Sequence, residues 1–504
     1  MWVLGVAFGT FVLTGWLYTI APKGFFPEED IGQISVTTEA SEDISFAEMV
    51  RIQTLVADRM SKDPSVDYIQ SFVGSGSASP KPLNSGSMFV VLKPLSERPK
   101  IGLVIEKLRT LSRYPGFAVY MQPVQNLRLG GKVSKSRYQY VMQSVSADSL
   151  NEWSNKLQEK MKSDGLFRDV TSDSQLRGLQ VHVEVDRARA GSLGVSTQDV
   201  RTALYNAFGD RQISTIFTPV NSYQVILEAP KDYRQFETSI GNVFVHSKLT
   251  SQVIPLSSVV TVTRAVGPTA VNHQGQLQAV TLSFNLAPGV PLGDATKRIS
   301  EISEDLKIPS TIITNYGGDA AVFQNTQSGQ VVLLLVAVLV IYVLLGVLYE
   351  SYIHPLTILA GLPSAAVGAL LFLWYFRIDL TLIATIGILM LIGIVKKNAI
   401  MMIDFALDAQ RTQGLPPEQA IRMACSLRFR PILMTTFAAL MGALPISLGL
   451  GAGAELRAPL GIAVVGGLLF SQVITLYITP VIYLYLDRFA GNGPRVLTPE
   501  ELNA

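Results

Sequence analysis

The sequence predicts an α+β membrane protein in which six transmembrane helices carry a large polar block outside the membrane. Three observations lead to this fold class. Six long apolar segments each approach the roughly 20 residues that a helix needs to cross a bilayer. Residues 22–330, between the first and second segments, are polar. Within that block, alternating runs and helical runs follow one another as repeated β-α-β units.

The apolar segments account for the predicted transmembrane helices. Five contain no charged residue, and the fourth contains only Lys396 and Lys397. Core helices of soluble proteins rarely stay uncharged over such lengths, which favours membrane helices. The first segment is expected to be retained rather than cleaved as a signal peptide, because no Lys or Arg precedes it and it has no A-x-A-like cleavage site. The segments are Trp2–Ala21, Val331–Tyr349, Pro355–Phe376, Leu380–Ile403, Pro431–Leu450 and Pro459–Leu486.

Arginines in the short loops predict the orientation. Loops on the cytoplasmic side of membrane proteins carry an excess of Lys and Arg. The loops on one side of this bundle contain only Arg377 and Arg457. We therefore expect a multi-pass membrane protein with residues 22–330 outside the cytoplasm, which in a bacterium is the periplasm. The arginines assigned to the cytoplasmic side are Arg411, Arg422, Arg428, Arg430, Arg488 and Arg495.

Composition argues against several other classes of function. The net charge of +2 gives no strong attraction to nucleic acid. Cys425, the only cysteine, lies on the predicted cytoplasmic side, so no disulfide is expected in the polar block. The four histidines do not have metal-ligand spacing, and we expect neither a metal site nor a cofactor. They are His182, His246, His273 and His354.

The polar block is expected to contain two copies of a β-α-β-β-α-β pattern, which is the ferredoxin-like order. The second copy is interrupted by a long insertion. In the first copy the predicted strands are Ile31–Thr38, Tyr68–Val73, Met88–Leu92 and Phe117–Gln122, and the helices are Ser45–Lys62 and Leu103–Ser112. In the second copy the strands are Tyr138–Gln143, Phe167–Thr171, Leu277–Phe284 and Thr311–Tyr316, and the helices are Asp148–Lys162 and Leu292–Leu306.

Two further segments of the block have distinctive patterns. The insertion contains a helix (Thr197–Ala207) and two alternating runs (Ser214–Pro219 and Tyr223–Ala229) that predict an extended hairpin. Such a hairpin exposes its edges and tip, which suits docking to a partner, although a surface hairpin without a partner fits the same pattern. The loop GSGSASPKPLNSGS (74–87) has the composition of a linker, and beside a cleft it could also gate a substrate.

The fourth apolar segment raises the question of why two lysines lie inside the membrane. Lys397 and Asp404 are seven residues apart and therefore share a helix face, with Gly393 one turn from Lys397. Lys396 is rotated by about 100° from Lys397, so the two cannot make the same contact. Ionisable residues inside membranes are usually functional. A structural ion pair and a snorkelling lysine remain alternatives.

Two residues of the fifth segment extend this candidate site. Arg428 and Thr435 are also seven residues apart, and they share a face if the helix continues through Pro431. The threonine hydroxyl can both donate and accept a hydrogen bond. A surface of Lys, Arg and Thr requires carboxylate partners, and no acidic residue lies mid-helix in the six segments.

Several of these stretches resemble the C-terminal half of a resistance-nodulation-division (RND) efflux transporter. They are KGFFPEEDIGQ (23–33), LYESYIHP (348–355), GIVKKNAIMMIDFA (393–406) and LRFRPILMTT (427–436). The sequence is most similar to the hydrophobe/amphiphile drug exporters, and among them to the Mdt-type subunits that work in mixed trimers. The similarity extends over nearly the whole chain.

The resemblance implies a domain plan. It assigns 1–21 to the first transmembrane helix, 22–135 to a periplasmic porter subdomain, and 136–186 with 273–328 to a second porter subdomain. Residues 187–272 are then a docking subdomain. The five-helix bundle is 329–487, and the cytoplasmic tail is 488–504.

The resemblance also implies a mechanism and partners. Lys397, Arg428 and Thr435 match proton-relay positions, with Asn398 and Lys396 as lesser candidates. The Asp-Asp pair of that relay belongs to an N-terminal six-helix half, which this sequence does not contain. Trimeric RND partners, a periplasmic adaptor and an outer-membrane channel complete the implied assembly.

The implied substrates are hydrophobic or amphiphilic small molecules exchanged for protons. Phe89 matches an aromatic residue of the drug pocket. The loop at 74–87 matches a switch loop, where this sequence has Ser75 and Ser77 in place of aromatic residues. We therefore expect a non-enzymatic proton antiporter subunit. The alternatives are a structural subunit of a mixed trimer that does not itself transport, and an RND exporter of another cargo such as a metal ion or a lipid.

Overall fold

The computed structural model describes residues 2–74, 82–127, 134–234, 236–451 and 453–488. The chain divides into two compact units. One consists of residues 41–45 and 174–271, and the other contains the rest of the described chain, including all the long apolar helices. The smaller unit begins at Ser174, whereas the first segment of the second porter subdomain was predicted to extend to residue 186, twelve residues further. The domain boundaries given above remain predictions.

The first sheet follows the helix that opens the chain. Its strand order is β2-β3-β1-β4, and all its neighbouring strands are antiparallel. Alternate residues of β1, such as Ile34 and Val36, are buried beneath α2 and α3, as a strand with one covered face requires. The elements in order are α1 (Trp2–Ile20), β1 (Gln33–Ala40), α2 (Phe46–Ser61), β2 (Val66–Val73), β3 (Ser85–Leu92), α3 (Ile101–Leu111) and β4 (Phe117–Pro123).

A buried glutamine attaches α2 to this sheet. The hydroxyl of Thr38 on β1 donates to Gln53 Oε1 at 2.8 Å, and Gln53 Nε2 donates to the Ser71 hydroxyl and to the Phe72 carbonyl. Gly86 on β3 lies against this amide, and a Cβ there would come within 1.9 Å of Gln53 Oε1. A side chain at position 86 would therefore displace the helix from the sheet.

The inserted unit is built from short elements around its own small core of Val195, Val200 and Leu256. Before it, the chain forms β5 (Tyr138–Ser144), α4 (Ala147–Ser163) and β6 (Phe167–Ser172). The unit itself contains β7 (Gly178–Val185), α5 (Arg187–Ser192), α6 (Thr197–Phe208), β8 (Arg211–Phe217), β9 (Ser222–Leu227), α7 (Thr238–Gly241), β10 (Phe244–His246), β11 (Val253–Pro255) and β12 (Val260–Gly267). Strands β8 and β9 form the hairpin that the alternating runs predict, beginning three residues earlier on β8.

The second sheet combines strands from both sides of the insertion. Its order is β13-β14-β5-β15, with β6 also paired to β14. Met142, Leu157, Leu282 and Phe284 form the centre of its core and are fully buried. The elements that follow the insertion are β13 (His273–Gln274), β14 (Leu277–Leu286), α8 (Leu292–Asp305) and β15 (Ile313–Gly317).

Six helices are long and apolar enough to cross a membrane, within the described part of the chain. Each of the five after α1 extends beyond its predicted apolar segment at one end or at both. They are α9 (Gly318–Tyr349), α10 (His354–Leu359) with α11 (Leu362–Tyr375), α12 (Leu382–Gln413), α13 (Pro417–Ser447) and α14 (Ala454–Asp487). Helices α11 and α14 touch closely, since a Cβ on Gly368 would lie 2.5 Å from the Gly466 carbonyl oxygen.

The start of α9 belongs to the second sheet rather than to the apolar bundle. Helix α9 follows β15 without a loop, and Ala320 and Phe323 in its first two turns pack in the core of that sheet. Arg137, just before β5, donates to Asp319 Oδ2 at 3.1 Å and to the Phe26 carbonyl at 3.3 Å. These contacts tie the sheet both to α9 and to the segment that leaves α1.

The third apolar segment is broken, where the sequence pattern predicts one uninterrupted helix. Helix α10 ends at Leu359, and α11 begins at Leu362 after Gly361. Pro363 has no backbone N–H to donate to the carbonyl four residues earlier, so the hydrogen-bond ladder is interrupted here. Helix α13, in contrast, runs through both Pro431 and Pro445.

Candidate functional site: an open helix face with an unpaired lysine

One face of α12 is uncovered along most of its length. Met390, Gly393, Lys397 and Asp404 recur at helical spacing on this face and are exposed. A Cβ at Gly393 would meet no atom within 4 Å, which leaves room for a neighbouring helix. Within the described residues, Lys397 makes no hydrogen bond and no ion pair. A charged amine in an apolar helix is therefore available to a partner.

The neighbouring lysine has the opposite environment. Lys396 is only 3% exposed, and its ammonium group donates a hydrogen bond to the backbone carbonyl of Ile358. Ile358 lies next to the break between α10 and α11, where carbonyls lose their helical donors. Lys396 does not snorkel to the surface. It caps the end of α10 from inside the bundle.

Removing this cap should destabilise the break. We expect Lys396→Met, which keeps the length and apolar stem of the side chain, to leave the Ile358 carbonyl unsatisfied at a cost of about 1–3 kcal/mol. The change is measured as a lower midpoint of thermal unfolding in detergent, with Lys156→Met on the exposed surface of α4 as the control. A variant as stable as the wild type would show that the carbonyl does not depend on Lys396.

Arg428 and Thr435 lie on α13, which is continuous between them. The Arg428 guanidinium stacks over the Phe405 ring at 4.9 Å, and its Nε is buried without a hydrogen-bond partner in the part of the chain that the structure describes. The Thr435 hydroxyl donates to the Ile432 carbonyl of its own helix at 3.1 Å. The structure thus places these two residues and Lys397 on adjacent helices without hydrogen bonds among the three side chains.

A polar network that the sequence did not reveal connects three helices beside Lys397. Asn398 Nδ2 donates to the Thr436 hydroxyl at 3.0 Å, and that hydroxyl lies 2.7 Å from Gln472 Oε1 on α14. Thr436 is buried, and Gln472 Nε2 is buried with no hydrogen-bond partner among the residues described. The sequence signal for Gln472 was a lone amide within a long apolar segment, which predicts a contact between helices but does not identify the partner.

Phe89 lies on the open face of the first sheet. It is 43% exposed, and it is paired with Ser35 on β1 and with Gln70 on β2. Tyr68 and Phe72 lie two residues before and two residues after Gln70 on β2. Their exposed side chains are therefore on the same face of the sheet as Phe89. The structure therefore adds two aromatic residues to the predicted one. Ser75 and Ser77, predicted with Phe89, lie outside the described residues.

A cleft of about 1080 Å³ runs along β4 to the start of the apolar helices. Ser35 and Gln122, which are in register with Phe89 across the sheet, line it together with Asp30 and Asp379. Burial raises the pKa of the Asp379 carboxyl above its ordinary value, and the negative charge of Asp294 adds to this effect. Asp379, in the loop between α11 and α12, is thus a carboxyl that holds a proton more readily than usual.

We next considered whether the described residues contain a cluster of side chains that could bind a metal ion. Among the residues that the structure describes, no three His, Cys, Asp or Glu side chains are grouped so that they could hold a metal ion. The cleft and the open sheet face therefore offer apolar and aromatic surface together with charged residues of both signs.

The sequence model of the AcrB/AcrD/AcrF family matches residues 1–487. The chain belongs to this family. The AcrB/AcrD/AcrF proteins are RND efflux pumps, so the chain derives from a transporter family and not from an enzyme family. That it matches the hydrophobe/amphiphile branch, or its Mdt-type subunits, stays a prediction from the sequence.

Solved structures agree with the fold of this AcrB/AcrD/AcrF member. Two crystal forms of a heavy metal efflux pump superpose with TM-scores of 0.84 and 0.83, at 23% and 24% sequence identity. In each case the match covers 96% of this chain but only 51% or 50% of the pump. The chain therefore spans about half the length of the structures that it resembles.

Proposed function

We propose that the chain is one half of a proton-driven efflux pump subunit in a bacterial inner membrane. The observation that carries this proposal is the unpaired Lys397 on the open face of α12. An ammonium group inside a membrane costs on the order of 3 kcal/mol unless it is paired or hydrated. The complementary six-helix half, with its Asp-Asp pair, supplies the missing carboxylates. The arginine-rich ends of the helices face the cytoplasm.

In this proposal, proton binding switches the contact between the two halves. Ionised carboxylates attract Lys397, and protonated ones release it, so the helices have two arrangements. Arg428 lies on the adjacent helix with Nε unpaired, and Thr435 and Asn398 supply nearby hydrogen-bonding groups. Continuity between α9 and β15, together with the contacts of Arg137, gives a path for helix movement to reach the second sheet.

The assembly that we propose is a trimer that contacts a periplasmic adaptor and an outer-membrane channel. The inserted unit serves as the docking subdomain. Its hairpin of β8 and β9 exposes apolar side chains on a surface that no other described residue covers, which supports a role in contact with a partner. They are Ile213, Ile216, Phe217, Val220 and Tyr223. Both a homotrimer and a mixed trimer of the Mdt type are compatible with this arrangement.

We propose hydrophobic or amphiphilic molecules as the cargo. The open aromatic face of Tyr68, Phe72 and Phe89 supports this choice, since burying aromatic surface against an apolar molecule is favourable without any charge. A second candidate cargo is a metal ion, because both matched crystal structures are described as a heavy metal efflux pump. Single carboxyls in the cleft, such as Asp379, would then need ligands from the other half.

Reconstitution tests the proposed function. The chain is placed in proteoliposomes alone and together with a six-helix half that carries the Asp-Asp pair, and export of a fluorescent amphiphile is followed under an imposed pH gradient. We expect export only from the combined preparation. Equal export by the chain alone would refute the requirement for partner carboxylates. Export of divalent metal in place of the amphiphile would move the assignment to the second cargo.

The aromatic face makes a prediction that is independent of the proton relay. Phe89→Ala is expected to weaken binding of a fluorescent amphiphile by about 1–3 kcal/mol, because the ring no longer shields the ligand from water. Leu111→Ala, at the exposed end of α3, is the matched control and should leave the affinity unchanged. Equal affinities of the two variants in a fluorescence titration would exclude this face as the binding surface.

A further inference from the structure

A second polar site lies at the arginine-rich end of the bundle, well separated along α12 from Lys397. Here Tyr349 at the end of α9, His354 at the start of α10 and Tyr483 on α14 come together. The His354 ring stacks on Tyr483 at a centroid distance of 6.2 Å and meets the edge of Tyr349 at 6.5 Å. The surrounding core is apolar, with Ile358 and Ile403 among its members.

Each of the three side chains buries a polar atom that has no partner among the described residues. His354 and Tyr349 are 6% exposed and Tyr483 is fully buried, yet the two hydroxyls and His354 Nδ1 make no hydrogen bond to any residue that the structure describes. Leaving such a group unsatisfied inside a protein is unfavourable, because it loses its hydrogen bonds to water and gains none. Because nearly all buried polar groups in proteins are satisfied, three unsatisfied atoms around one histidine indicate a ligand.

The chemistry of the site identifies this ligand as water. A tyrosine hydroxyl both donates and accepts, and a neutral imidazole does one or the other at Nδ1, so the ligand must do both. The charged groups that act on these three side chains are Asp487 from α14 and both Arg411 and Asp404 from α12. Two carboxylates against one guanidinium disfavour an anion, and the described residues offer no cluster of ligands for a metal ion. Buried waters typically make about three hydrogen bonds, which matches the three unsatisfied atoms.

We propose that bound water links His354, Tyr349 and Tyr483 and that this hydrated site releases protons to the cytoplasm. The inference rests on the proposed function, because it needs protons to cross the bundle. Imidazole is the side chain that most readily takes up and releases protons near neutral pH. A proton from the bundle binds the ring nitrogen of His354 that carries no hydrogen, which makes the ring an imidazolium. The imidazolium then returns a proton to the bound water, which passes it to bulk water.

Hydration is tested by hydrogen exchange at the C2 carbon of each histidine, read by mass spectrometry on the full chain in D₂O. His182 and His246 are exposed and serve as internal standards. We expect His354 to exchange no more than about tenfold more slowly than these standards. In the Tyr349→Phe, Tyr483→Phe double variant, which keeps both rings, exchange at His354 should slow at least about fivefold further. No exchange at His354, or equal exchange in the double variant, overturns the hydrated site.

Proton release is tested in the pump assembled with the carboxylate-bearing half. His354→Gln, which keeps hydrogen-bonding capacity but cannot carry a proton, should lower proton flux about tenfold or more. Unchanged flux in this variant overturns the release role. Exchange requires no transport, so the two failures are distinguishable. A hydrated His354 in a pump that moves no protons contradicts the proposed function, whereas a dry His354 in a working pump contradicts this inference alone.

Discussion

Lys397→Met is expected to reduce cargo export by a pump containing this chain by about 100-fold or more, the range observed when a proton-transfer group is lost. Methionine matches the apolar stem of lysine and removes only the charge that the partner carboxylates recognise. Without that charge, protonation of the carboxylates no longer changes the contact between helices. Export is measured as efflux of a fluorescent amphiphile from energised cells or proteoliposomes.

Two further variants make this expectation specific. Lys397→Arg keeps a positive charge and should retain more export than Lys397→Met, although the guanidinium fork binds carboxylates with a different geometry. Lys156→Met also removes one positive charge, but on the exposed surface of α4, and should export normally. A Lys397→Met pump that exports as well as the Lys156→Met pump would remove Lys397 from the mechanism.

Asp30→Ala is expected to destabilise the first sheet by about 3–5 kcal/mol, the usual cost of leaving one member of a buried ion pair without its partner. Asp30 and Arg98 are paired at 2.6 Å, with side chains only 6% and 2% exposed. Asp30 Oδ2 also accepts from the backbone N–H of Ile101 at the start of α3, at 2.9 Å. Loss of the carboxylate therefore also leaves the N-terminus of α3 without a hydrogen-bond acceptor.

The control for Asp30→Ala is an exposed ion pair with the same distance between nitrogen and oxygen. Glu48 and Arg51 are 2.6 Å apart on α2 with both side chains largely exposed, so Glu48→Ala should cost less than about 1 kcal/mol. Denaturant unfolding gives the global change, and amide hydrogen exchange of α3 reports the local one. Equal stability of the two variants would show that Asp30 is not a structural requirement.

Acid should reproduce part of the effect of Asp30→Ala. Burial alone would raise the pKa of Asp30, but hydrogen bonds from Arg98 and Ile101 and the charge of Arg98 outweigh it and hold the pKa below its ordinary value. Folding therefore gains stability from this group above the unfolded pKa near 4, and loses it as the pH falls through the lower folded pKa. Asp30→Ala should flatten the loss of stability in this acid range.

The long elements could be predicted because their signals are local. Six apolar segments correspond to six apolar helices, and strands such as β5 and β14 begin at the predicted residue. Helix ends were less predictable. The first turns of α9 are polar enough to be assigned to the block before it, yet they are helical because Ala320 and Phe323 pack in the second sheet. The break after α10 was signalled by Gly361 and Pro363 within the segment.

The candidate site was predictable in its residue types but not in its pairings. Spacing correctly separates Lys396 from Lys397 by face, but it cannot say which face the other helices cover. That depends on α10, whose Ile358 carbonyl takes up Lys396. The network of Asn398, Thr436 and Gln472 likewise depends on how three helices that are distant in sequence pack. The same applies to Tyr349, His354 and Tyr483.

The most direct test of the central claim follows protons rather than cargo. Proteoliposomes contain the pump assembled from this chain and a half that carries the Asp-Asp pair, and an internal pH dye reports proton flux under an imposed gradient. The account predicts a flux that cargo stimulates and that Lys397→Met abolishes, while Lys156→Met leaves it intact. A Lys397→Met pump that conducts protons at the rate of the wild type would contradict the account.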